Sequence, residues 1–168
     1  MNTKTQKPFA WYVMAGCMIF LSIMALPVGF TMITQPASMP IGMPMEWLNT
    51  TPFKDYFIPG LILFTVIGLF PIVILYGLVR RPDWRWLKGL ETRLHAHWAW
   101  IASVVYGLAV MIWIMVQVYW MGLSHPLQPA VWVLGFVILL IALLPSMRRY
   151  YRFDAAFATK RVNEVFSC

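Results

Sequence analysis

Four long runs of the chain, residues 9–33, 56–79, 98–121 and 129–147, contain no Asp, Glu, Lys, Arg or His between their ends. That absence restricts the fold more than any other feature of the sequence. A hydrocarbon core about 30 Å thick is crossed by roughly 20 helical residues rising about 1.5 Å each. Each run reaches or nearly reaches that length, the fourth being the shortest. The sequence therefore predicts an all-α membrane protein, a bundle of four transmembrane helices. Composition agrees: 61% of the residues are hydrophobic and only 11% are charged. A soluble domain carries about a quarter charged residues, so there is too little charge here to solvate a surface. The 168 residues suit a single membrane domain, 1–168, with no room for a soluble domain beside it.

The placement of charge sets the expected orientation. Lys4 and Lys7 precede the first run. Arg80, Arg81, Arg85, Lys88 and Arg93 fill the loop 80–97, and Arg148, Arg149, Arg152, Lys160 and Arg161 fill the tail 148–168. The remaining loops hold only Lys54. Basic residues mark the cytoplasmic side, and four crossings put all three basic segments on one side. Both termini are thus expected in the cytoplasm. The first run is too long for a signal-peptide core and no small-x-small site closes it, so it reads as a retained helix.

Within the runs, Pro27, Pro71 and Pro145 each remove a backbone donor and are expected to kink or end a helix. Ala99, Ser103 and Gly107 repeat small residues every four positions, as Ser22, Ala25 and Gly29 do on one face of the first run. Such stripes let helices approach closely in lipid, within the bundle or across a dimer seam. The outer loop 34–55 is rich in proline and methionine and is expected to fold back on the bundle as a lid. The segment RRPDWRWLKGLETRLHAHW interleaves tryptophan and leucine with basic residues. It suits the headgroup region, with anionic lipid as the partner.

The segment WLNTTPFKDYFIPGLILF, residues 47–64, resembles a recurring signature of small bacterial inner-membrane proteins with four predicted helices. Trp113 and Gln117, Leu127-Gln128-Pro129, and the stretch from Leu144 to Arg149 match further features of those proteins. The resemblance covers most of the chain from Trp47 to Tyr150. It implies the fold, the topology and a bacterial inner-membrane location, and it carries no chemistry. Where such relatives have Asp-Pro near the outer end of the first helix, this chain has Gln35 and Pro36.

Few residues offer chemistry. A membrane haem held by two histidines needs them on different helices at matching depth. His95 and His97 precede the third run and His125 follows it, so no cofactor is expected. His95 and His97 read as interface histidines. Met39, Met43 and Met45 form a soft thioether set that suits Cu(I), against which stands methionine as apolar filler of the lid. Cys17 lies in an apolar run and Cys168 ends the chain, with no Cys-x-x-Cys pair. The spans hold no titratable group for acid–base work, so the reading leans away from an enzyme. Ion-coupled transport is disfavoured on the same ground.

The outer rim is the expected site, if there is one: Asp55, Trp113, Gln117, His125 and Gln128 as ligand-binding residues, with Glu46 nearby. Asp55 also reads as a helix cap, and Gln117 as interhelical glue. Two functions stay open. One is an accessory or partner-binding subunit, a protein partner or a second copy being the expected associate and nucleic acid not. The other is a lipid or small amphipathic ligand carrier with a pocket at the outer end.

Overall fold

Spans without ionisable groups can hold together only through close packing and a few well-placed hydrogen bonds, and the computed structural model shows both. It describes residues 7–37, 44–82, 84, 96–123 and 125–151. The described structure is all-helical: α1 Phe9–Thr34, α2 Phe57–Arg80, α3 Trp98–Met121, α4 Leu127–Leu143 and α5 Pro145–Tyr151. One short 3₁₀ turn, Met45–Leu48, lies in the outer loop. α1, α2 and α3 are each long and apolar enough to cross a membrane. α4 and α5 meet the same condition only as a pair, bent by 61°. The spans thus number three, or four when the bent pair counts as one.

The fourth helix differs from the expected residues 129–147. It begins at Leu127 and stops at Leu143, and Met147 belongs to α5. The cause is Pro145, which forces the residue before it out of helical backbone. Leu144 accordingly sits at φ −55°, ψ 138°. Pro27 does not end α1, which runs on to Thr34.

The helices form a ring in which α1 packs on α2, α2 on α3, α3 on α4, and α4 closes against α1. Only the second half of α2 shares a substantial interface with α3; its first half lies against α1. Met14, Met18, Leu21, Ile74, Leu78, Tyr106, Val110 and Ile138 fill the middle. Ala99 and Ser103 are fully buried, and Gly107 is buried with them. The Ser103 hydroxyl donates to its own helix at the Ala99 carbonyl, 2.8 Å away. A Cβ on Gly107 would lie 3.0 Å from the Gly135 carbonyl oxygen and 3.0 Å from the Leu139 nitrogen. Backbone therefore meets backbone where α3 crosses α4, the closest approach that small residues permit.

Prolines shape α2. Residues Leu63–Leu69 form a π turn, closed by the Phe70 N–H donating to Thr65. Pro71 has no N–H to offer the carbonyl of Ile67. The Tyr106 hydroxyl on α3 supplies the missing donor, 3.2 Å from the Ile67 oxygen. A second tyrosine serves the other end of α2, where the Leu78 carbonyl lies in the last turn and has no helical partner. The Tyr151 hydroxyl on α5 donates to it at 3.1 Å.

Candidate functional site

The outer loop is drawn onto the bundle by its apolar residues. Leu48 and Tyr56 are buried against Met32 of α1, with Val28, Met45, Phe53 and Leu63 around them. Hydrogen bonds fix the loop to its surroundings. Tyr56 donates from its N–H to the Pro36 carbonyl (3.1 Å) and from its hydroxyl to the Pro44 carbonyl (2.6 Å). The Thr50 hydroxyl donates to the Trp120 carbonyl at the end of α3. Phe53 meets the Trp120 ring edge-on, centroids 5.9 Å apart. Burial pushes the Tyr56 phenol above its ordinary pKa of 10.0.

Asp55 lies where this loop enters α2. Its Oδ1 accepts the Phe57 N–H at 3.0 Å, which engages one of the donors that a helix start leaves open. The carboxylate also borders a concavity of about 510 Å³ shared with Pro36, Phe53, Lys54 and Ile58. His125 and Gln128 sit elsewhere, in the turn between α3 and α4. There the His125 Nδ1 accepts the Leu127 N–H (3.2 Å) and the Gln128 Oε1 accepts the His125 N–H (3.3 Å). Gln128 is buried and His125 exposed.

Trp113 and Gln117 stand one turn apart on α3, both half-buried. The Trp113 Nε1 is buried and has no hydrogen-bond partner among the described residues. Neither residue lines the Asp55 concavity, nor a second, apolar one of about 470 Å³ between α3 and α4, lined by Ile114, Met115, Tyr119, Pro129 and Trp132. Of the five rim residues, then, the structure pairs His125 with Gln128 and sets Trp113 near Gln117. None of these four lines the concavity that Asp55 borders.

Met39, Met43, His95 and Cys168 lie outside the described residues, and Met45 packs against the Tyr56 cluster. Among the described residues no three His, Cys, Asp or Glu side chains come together. His97 has a role that the sequence reading did not give it. It is 3% exposed and caps α3: its Nδ1 accepts the Ala99 N–H at 3.3 Å.

The sequence reading missed a cluster at the basic end. Tyr151 joins four elements there. Its hydroxyl accepts from Trp11 Nε1 of α1 (2.8 Å) while donating to Leu78 of α2, and its carbonyl accepts the His97 N–H (3.0 Å). Arg81 ends α2 in left-handed backbone, φ 48°, and donates to the Tyr150 carbonyl at 3.3 Å. Its guanidinium lies over the Tyr150 and Tyr151 rings, 4.4 and 4.8 Å from their centroids. Nothing in the sequence signals that Tyr151 serves the Leu78 carbonyl. No known family, curated protein or solved structure matches this chain.

Proposed function

We propose that the chain is a four-span protein of a cell membrane, of the bacterial inner-membrane type, with both termini in the cytoplasm, and that it acts by association as an accessory or partner-binding subunit. One observation carries this reading. The polar side chains in and beside the helices serve the protein's own backbone, while the outward faces are broadly apolar. Tyr106, Tyr151, Trp100, Ser22 and Ser103 all donate to backbone carbonyls, and Asp55, His125 and Gln128 accept backbone N–H groups. Ile19, Phe20, Ile23, Val105, Ile112 and Met115 face outward. Such a molecule offers contact surface in place of reactive groups. Purification in mild detergent, with mass spectrometry of what accompanies the chain, tests it. A protein recovered in fixed ratio is the expected result, and recovery of the chain alone as a monomer refutes it.

A second reading, a carrier of a small amphipathic molecule, is favoured by Trp113. Its buried N–H without a partner, one turn from the Gln117 amide, suits a bound acceptor at the outer end. Extraction of the purified protein would then yield an amphiphile that Gln117→Leu loses. Equal retention by the variant would remove this reading.

A further inference from the structure

We infer that α5 is an interfacial helix whose arginines, with the cations at the end of α2, hold the anionic phospholipid headgroups of the adjoining leaflet. The inference rests on the membrane-spanning reading above and adds to it a binding surface and its occupant.

The bend supplies the geometry. α4 has 17 residues, the short limit of what crosses a bilayer, and α5 leaves it at 61°, so the chain turns away from the axis of α4 where that helix reaches its limit. Its two faces are unlike. Met147 and Tyr151, one turn apart, are buried in the bundle, while Arg148 and Arg149 between them are exposed. The apolar side of α5 is thus taken up by the bundle itself, and the cationic side is left facing outward, toward whatever surrounds this end of the protein.

The surroundings extend the positive surface. Arg81 is held against Tyr150 by a hydrogen bond and by both tyrosine rings, and Arg80 beside it is exposed. Lys7 lies 3.8 Å over the ring of Trp11, whose indole is bonded to Tyr151. The two described acidic residues, Glu46 and Asp55, belong to the outer loop at the opposite end of the bundle. Asp83, Glu91, Asp154 and Glu164 lie on the segments of the basic end, but those segments also carry every Lys and Arg except Lys54. Charge complementarity therefore selects an anionic partner. The depth selects a lipid: cations at the mouth of a span meet phosphodiester groups before anything else. Arg81 is already fixed in place, so it loses little freedom on meeting a phosphate oxygen.

Reconstitution in symmetric vesicles tests this without depending on which way the protein inserts. Wild type and Arg148→Gln/Arg149→Gln are placed in phosphatidylcholine containing phosphatidylglycerol, and the lipid retained after mild extraction is quantified. Wild type is expected to retain phosphatidylglycerol selectively, and more weakly in high salt, because surface charge is screened. The double variant is expected to lose selectivity by about thirtyfold, two charges at roughly fivefold each. Arg148→Lys/Arg149→Lys should retain it. Absence of selectivity in wild type, or its full persistence in the double Gln variant, overturns the inference. Loss in the Lys variant as well would assign the arginines to folding and overturn it too. Failure of the topology itself would show separately, as an outward-facing basic end in sealed cells.

Discussion

A proline in a membrane helix leaves a carbonyl without its donor, and no water is at hand to replace it. Tyr106 answers that deficit at Ile67, and Tyr151 answers the similar deficit that the end of α2 leaves at Leu78. Tyr106→Phe keeps the ring, and its packing beside Phe70, but withdraws the hydroxyl. The variant is expected to lose about 1–3 kcal/mol, the cost of an unsatisfied buried acceptor, read as a lower melting temperature in detergent. The paired substitution Tyr106→Phe/Pro71→Ala returns an N–H to position 71. It should lose less than the two single changes added together, and strict additivity would show that the hydroxyl does not serve the proline gap. Tyr56 makes a second case. Its neutral phenol is favoured by burial, so its contribution is complete below the ordinary pKa and falls as pH rises past it, when only the unfolded chain ionises freely. Thermal stability should therefore decline between about pH 9 and pH 11, and Tyr56→Phe should flatten that decline. Of these roles the sequence shows the prolines and conceals the tyrosines, because each pairing joins residues 39 or 73 positions apart.

Glycines divide the helices into faces that touch and faces that do not. A Cβ at Gly107 would press on backbone atoms of α4 at 3.0 Å, whereas one at Gly16 of α1 would meet nothing within 4 Å. Gly107→Ala is accordingly expected to destabilise by about 1–3 kcal/mol, and Gly107→Leu by more. Gly16→Ala should stabilise by up to about 1 kcal/mol through helix propensity alone. Melting curves of the three variants under one detergent check the contrast, and equal effects at 16 and 107 would contradict it. The helices themselves were legible because a run without ionisable residues has clear ends: α1, α2 and α3 lie within a residue of the expected limits. The start of α4, the π turn in α2 and the order of the ring were not legible. Spans apolar on every side carry little periodic signal to say which face meets which neighbour. The cap that His97 gives α3 was not legible for a related reason, since composition places a histidine near the end of a run but cannot show that it caps a helix.

At the scale of the molecule the two ends of the bundle differ in kind. One is closed by an apolar lid, the other by a cationic and aromatic cluster. All but one of the 13 basic residues lie on the segments of that second end, so it is expected to face the cytoplasm. Single cysteines placed at position 2 and at Thr50, in a background lacking Cys17 and Cys168, should react from outside only at Thr50. Labelling of position 2 from outside would reverse the assignment. The candidate site was less legible than the fold. The sequence named five rim residues, but which of them meet depends on loop and helix contacts that it does not encode locally. The bond between Trp11 and Tyr151 has a consequence in time. These residues are separated by 140 positions, and a ribosome adding about 5–20 residues per second leaves the first waiting on the order of ten seconds for the second. During that interval α1 has been made, but its indole and the Leu78 carbonyl lack the hydroxyl that joins them. Of the described helices, the one that fastens the bundle is made after the other four, and a nascent chain stopped at Leu144 would have its clasp undone.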